Sequence, residues 1–202
     1  MADYLTELFN LNGKVAALTG AGGFLVSEMS RALSKAGVKL ALLDSKLEAA
    51  QKVADEIRTD GGQAIPLQLD VREKAQWQSV LEAILKEFGD MDFLLNGAGI
   101  NAPTPFLEIP LDEWNNILAV QLTGTMLGCQ VFGTYMVSKK KGSIINISSA
   151  SAGPPLSKAF TYSVAKAGVK NLTQNLAREW ATQGVRVNAI RPGFFPTEWS
   201  KK

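Results

Sequence analysis

Two periods alternate along the chain. At residues 14–19, 38–44, 64–70, 91–96, 143–148 and 185–191, short runs rich in Val, Ile, Leu and Ala are apolar at successive positions, the pattern of strands buried on both faces. Between them, at 24–36, 47–60, 73–88, 111–137 and 160–183, apolar residues recur every three or four positions, which predicts amphipathic helices. Gly37, Gly61, Gly62, Gly89, Gly142 and Gly184 stand at the joints and are expected to stop the preceding helix. Strands alternating with helices through right-handed crossovers predict a doubly wound, three-layer α/β architecture with a parallel sheet. No internal repeat, low-complexity segment or linker interrupts the alternation, so residues 1–202 are expected to form one domain.

Composition narrows the chemistry. The net charge of +2 offers no basic field for nucleic acid or a membrane surface, and the one run, Lys139 to Lys141, reads as a solvated helix end. The chain has no histidine, which excludes His-based acid–base schemes and His-ligated metal sites, and no metal is expected. Its single cysteine, Cys129, permits no internal disulfide and suits a reducing, cytoplasmic location. The start shows no basic region followed by an apolar run, and no unbroken apolar stretch of the roughly 18 residues a span requires, so neither a signal peptide nor a membrane span is expected.

Candidate chemistry lies at the carboxyl ends of the predicted strands, where open α/β sheets bind ligands. The first strand runs into Thr19-Gly20-Ala21-Gly22-Gly23 and a helix opening on Phe24-Leu25-Val26. Glycines there let the backbone turn tightly and approach a pyrophosphate, and the helix start offers unpaired N–H groups to the anion, as in a Rossmann-type dinucleotide domain. The second strand ends in Asp44, placed to accept hydrogen bonds from ribose hydroxyls and to repel a 2′-phosphate. That favours NAD(H), with NADP(H) left open because Lys46 is near. The third strand ends at Asp70-Val71 and the fourth at Asn96-Gly97-Ala98-Gly99, where side chains stay small for a flat nucleotide to pass.

After the fifth strand come Ser148 and Ser149, then Tyr162 and Lys166 four apart on one face of a helix start. A Tyr hydroxyl titrates near pH ~10 in isolation. A neighbouring ammonium and a helix N-terminus both favour the phenolate, which brings proton transfer toward neutral pH. Ser149 is placed to hold a substrate oxygen.

These residues together resemble the short-chain dehydrogenase/reductase family. The matching pieces are Thr19 to Gly23, Asp70-Val71, Asn96 to Gly99, Ile145 to Ser149, Tyr162 to Lys166, and Arg191-Pro192-Gly193 with Thr197, in family order over nearly the whole chain. The resemblance implies an oxidoreductase moving a hydride between a nicotinamide and a hydroxyl or keto compound. Tyr162 would serve as general acid in reduction and base in oxidation, and Ser149 would position the carbonyl. Lys166 would bind the nicotinamide ribose, while Pro192, Gly193, Phe195 and Thr197 would lie along the nicotinamide end. A finer likeness, through residues 146–158 and 192–195, is to mannonate (fructuronate) oxidoreductases, and it makes Lys158 and Asn101 candidate substrate contacts. Family members also imply a homodimer or homotetramer, here through the helices at 111–137 and 160–183.

Three departures qualify the resemblance. Phe24 and Val26 stand where the family's turn usually has glycine, and are expected to narrow the room above the pyrophosphate. Gln121 stands where a family Asn helps hold the lysine through water. The chain stops at Lys202, where family members commonly continue with a substrate-covering segment, a helix and a seventh strand, so the last strand is expected to be missing. Beside a sugar-acid or polyol oxidoreductase, two alternatives stay open: a 3-oxoacyl thioester reductase using the same residues, and a non-catalytic dinucleotide-binding sensor or scaffold.

Overall fold

The computed structural model describes residues 9–157 and 159–195. Its six strands are β1 (Val15–Thr19), β2 (Lys39–Asp44), β3 (Ala64–Gln68), β4 (Phe93–Asn96), β5 (Gly142–Ile147) and β6 (Val185–Ile190). All pair in parallel, in the order β3-β2-β1-β4-β5-β6. The helices are α1 (Phe24–Lys35), α2 (Leu47–Thr59), α3 (Lys74–Phe88), α4 (Leu111–Leu118), α5 (Gly124–Ser138) and α6 (Phe160–Trp180). The order reverses between β1 and β4, which opens a crevice at their carboxyl ends.

Each strand feeds two cores because successive side chains point to opposite faces. Val15 and Ala17 of β1 join Trp77, Ile84, Phe132 and Met136 under α3 and α5. Ala16 and Leu18 join Leu40, Leu42, Val53 and Ile57 under α1 and α2. Central β1 is buried throughout, whereas edge strand β6 alternates buried and exposed along its first half. The other edge strand, β3, accommodates Pro66, which lacks a ladder donor.

Two expectations are corrected. The run predicted as one helix at 111–137 is broken by a π-helical turn, Ala119–Thr123, between α4 and α5. The wider turn buries Gln121 completely, and the Thr125 hydroxyl donates to the Gln121 carbonyl at 2.7 Å. Gly142 does not stop a helix but begins β5, where a Cβ would meet Met136 at 2.5 Å; the left-handed residue after α5 is Lys140, at φ 52°. From Leu111 to Ser138 the helical run is long enough to cross a bilayer and holds an 18-residue window apolar enough to do so, with a mean hydropathy of 1.3. Half of that window is buried in the protein, and Leu127, Val131 and Phe132 belong to the core, which is the position of an internal helix.

Candidate active site

The crevice has two lobes that share Leu25 at the start of α1. The first, of about 510 Å³, is walled by the glycine turn, Asp44, Asp70-Val71 and Gly97 to Gly99. The second, of about 470 Å³, is walled by Ser149, Tyr162, Asn101 and the Pro192 to Phe195 segment. A more capacious depression of about 950 Å³ is lined by Arg31, α2 and Asp60 after it. It has no strand end in its wall, and Arg31 there is committed to Glu56 at 2.6 Å, so the chemistry is sought in the crevice.

The glycine turn is shaped for an anion. Gly20 has φ +72°, and a Cβ there would lie 2.9 Å from the Ala98 Cα, so both backbone twist and close approach require glycine. Gly23 N–H donates to the Gly20 carbonyl at 2.9 Å, and the first internal bond of α1 is Ser27 N–H to the Gly23 carbonyl. The Phe24 and Leu25 amides precede that bond at the positive end of the helix. A dinucleotide's phosphates fit this cradle. Val26 lines this lobe but is 3% exposed, seated where a Cβ on Gly97 would meet its Cγ2 at 2.5 Å. Phe24 is half exposed at the rim.

Asp44 accepts from Gly22 N–H and Lys46 N–H, each at 3.0 Å, so its carboxylate is held in place at the end of β2. Asp70 is gripped by Arg72, with an Nη2–Oδ2 distance of 2.6 Å. These hydrogen bonds hold the Asp70 carboxyl below the usual carboxylate range, and Arg72 Nη1 continues to Asn116 Oδ1 of α4 at 3.1 Å. Thr19 closes β1 onto β4, its hydroxyl accepting Gly97 N–H at 3.0 Å and Ala98 N–H at 3.1 Å.

Asn96 is not a crevice wall. Its side chain is buried and donates to Asn146 Oδ1 at 2.9 Å, and Asn146 in turn donates to Thr173 of α6, so it ties β4 to β5 from behind. Cys129 packs on the same group, and burial pushes its thiol up to about 12. Gln121 is likewise drawn elsewhere: its Nε2 donates to the Ile100 carbonyl at 2.6 Å, and its Oε1 is buried beneath Gly99 with no hydrogen-bond partner.

Behind the second lobe, Lys166 is 4% exposed, with Nζ 5.5 Å from the Tyr162 ring centroid and donating to the Ile147 carbonyl at 2.6 Å. Burial pushes its ammonium down to about 8. Ser149, also buried, accepts Ser151 N–H at 3.2 Å and the Ser151 hydroxyl at 3.1 Å on its Oγ. Its loop is strapped to the segment after β6: Arg191 Nε donates to the Ser149 carbonyl at 3.2 Å, and Ala150 N–H to the Pro192 carbonyl at 2.9 Å. Asn101 Oδ1 is buried in the same wall without a partner. Gly193 borders open space, so packing does not require a glycine there. Thr197 and Lys158 lie outside the described residues.

The structure therefore gathers Ser149, Tyr162, Lys166 and Asn101 at one lobe and the glycine turn, Asp44 and Asp70 at the other. Thr19, Arg72, Ser151 and Arg191 were not anticipated as working parts. Ser151 had a faint signal, two residues after Ser149, but its hydrogen bonds exist only once the loop is folded. Among the described residues, no group of three or more His, Cys, Asp or Glu side chains comes together to hold a metal.

A family model described as short chain dehydrogenase matches residues 14–202. The chain is 36% identical to the D-threitol dehydrogenase of Mycolicibacterium smegmatis, over 96% of this chain and 75% of that protein. It is 33% identical to the 5-keto-D-gluconate 5-reductase of Escherichia coli, over 98% of this chain and 78% of that protein. An NAD-bound structure from Haemophilus influenza, provisionally described as a D-mannonate oxidoreductase, superposes with a TM-score of 0.90 at 36% identity, covering 97% of this chain and 76% of that one.

Proposed function

The chain belongs to the short chain dehydrogenase family, and from that premise we propose that it interconverts the hydroxyl and keto forms of a sugar acid or polyol, with NAD(H) preferred over NADP(H). Family membership makes it an oxidoreductase that binds a nicotinamide dinucleotide and acts on a small molecule. The carrying observation is one crevice with the glycine turn and Asp44 in its first lobe and Ser149 and Tyr162 in its second, Lys166 being buried behind the Tyr162 ring. The two lobes draw on residues from Gly20 to Phe195, and we read the chain as one domain.

When bound, the nicotinamide supplies or takes up the hydride. In reduction, Ser149 donates a hydrogen bond to the substrate oxygen and Tyr162 delivers the proton to it; in oxidation Tyr162 takes that proton back. Lys166 places a positive charge behind the Tyr162 ring, which stabilises negative charge left on the phenolic oxygen. Gly20 and the first-turn amides of α1 receive the pyrophosphate, Asp44 the adenosine ribose, and Val71, Ala98 and Gly99 line its path. Pro192, Gly193 and Phe195 border the nicotinamide end, and Asn101 orients the substrate. We assign the carboxylate of a sugar acid to Lys158. The free, buried thiol of Cys129 suits a reducing cytoplasm.

The test is a panel of keto sugar acids, polyols and 3-oxoacyl thioesters followed through NADH absorbance. Tyr162→Phe is expected to lower turnover at least ~100-fold while leaving NADH affinity nearly unchanged. Wild-type turnover by that variant would refute the mechanism. NADPH is expected to bind at least ~10-fold more weakly than NADH, with Asp44→Ala narrowing the gap. A second reading, reduction of a 3-oxoacyl thioester, is favoured by the apolar walls of the second lobe, Pro103, Leu156 and Phe194 among them. A preference for the thioesters in the panel selects it.

A further inference from the structure

Ser149 Oγ has two lone pairs and one hydrogen. Ser151 N–H reaches the oxygen at 3.2 Å and the Ser151 hydroxyl at 3.1 Å, both from the one-turn helix Ala150–Ala152 that Ser149 caps. Ser149 is 8% exposed and Ser151 4%, so water offers little competition for these bonds. The loop cannot drift away, because Arg191 and Pro192 hold its Ser149 and Ala150 backbone. In the arrangement where the Ser151 hydroxyl donates, both lone pairs of Ser149 Oγ are taken and its O–H is left to turn toward the cavity that Ser149 and Tyr162 line.

We infer that Ser151 is a positioning residue that makes Ser149 an obligate hydrogen-bond donor to the substrate oxygen. This rests on the reading of Ser149 as the group that holds that oxygen. The consequence is a division of labour. A ketone oxygen, which accepts from both Ser149 and Tyr162, is gripped at both lone pairs. An alcohol has its own hydroxyl proton to place, Ser149 has no lone pair for it, and that proton is directed to Tyr162. Ser151 thereby prevents an alcohol from binding with its proton on the wrong serine.

The experiment is a double-mutant cycle on the full chain with NADH and whichever keto compound of the panel is reduced, together with neutron diffraction of the perdeuterated protein. Ser151→Ala is expected to lower kcat about 10-fold in the wild-type background, to leave NADH affinity unchanged, and to have no further effect in Ser149→Ala. Ser151→Thr, which keeps the hydroxyl, is expected to recover most of the loss. The neutron map is expected to place the Ser151 deuteron on Ser149 Oγ and the Ser149 deuteron toward the cavity, an outcome that needs no substrate. If Ser149→Ala turns over at the wild-type rate, the reading of Ser149 fails. If Ser149→Ala is slow but Ser151→Ala costs the same in both backgrounds, that reading survives and this inference is overturned, because Ser151 then acts on its own. A Ser149 deuteron found on Ser151 Oγ overturns it as well.

Discussion

Lys166 is 4% exposed and, among the described residues, its ammonium has one hydrogen-bond acceptor, the Ile147 carbonyl, and burial pushes its pKa down to about 8. Its charge is what the chemistry uses, and kcat/KM reports the free enzyme. The expected profile for NADH-dependent reduction falls as pH rises through about 8; a plateau through pH 10 would remove Lys166 from the mechanism. The sign for stability is the opposite. The folded pKa lies below the unfolded 10.5, so the unfolded chain binds more protons between about 8 and 10.5. Over that window this group's burial penalty is relieved as pH rises. Val26 and Gly97 form another residue-scale pair. Gly97→Ala would press a Cβ onto Val26 Cγ2 at 2.5 Å and the Thr19 carbonyl at 2.9 Å, overpacking expected to cost ~1–3 kcal/mol. Val26→Ala added to it is expected to restore part of the thermal midpoint, while the backbone clash with Thr19 keeps the rescue incomplete.

At the scale of elements, α5 is fastened to the turn before β4 through Tyr135, whose hydroxyl donates to Asp90 Oδ1 at 2.8 Å. The Met91 N–H and then this hydroxyl hold the Asp90 carboxyl below its usual range, while burial first and Asp90 second push Tyr135 up to about 12. Asp90 contributes stability that is present above the unfolded carboxylate pKa and lost as pH falls through its lowered folded value. Tyr135 contributes stability that is present below about 10 and lost as pH rises toward about 12. Urea midpoints across pH are expected to drop in both windows, and Tyr135→Phe to flatten the alkaline drop; an unchanged alkaline limb would mean the contact does not persist in solution. Element boundaries were largely legible because a two-faced strand and a one-faced helix carry different periods. The π turn was not, since Ala119 to Thr123 keeps a helical pattern, while Gln121's bond to Ile100 joins residues 21 apart in the chain.

For the whole molecule, exposed apolar side chains gather on α4 and α6: Leu111 is 73% exposed and Val164 50%. Isolated apolar residues on a surface are ordinary, but Phe106 and Phe160 meet there at 5.3 Å between ring centroids, extending the patch. We propose that copies of the chain associate through these helices as a homodimer or homotetramer. Light scattering is expected to return a multiple of the 21.7 kDa chain mass, and Val164→Glu to shift it toward monomer; a monomer at assay concentration sinks the proposal. The chain spans 75% and 78% of the length of the threitol and ketogluconate enzymes, so those proteins carry segments beyond the matched region.

By itself the sequence determined the alternation of strand and helix, and with it which chain positions come to the carboxyl edge of the sheet. Glycines, an acid, a serine and a Tyr/Lys pair at those positions were therefore readable as a dinucleotide and proton-transfer site, because strand ends converge whatever the packing details. Tertiary structure decided what each side chain touches there. Asn96 turned into the core toward Asn146, Gln121 toward Ile100, and Val26 into the space left by Gly97. The physical reason is range: periodicity is a property of neighbours in the chain, whereas a hydrogen bond such as Ser151 to Ser149 depends on a loop held in place from 42 residues away by Arg191.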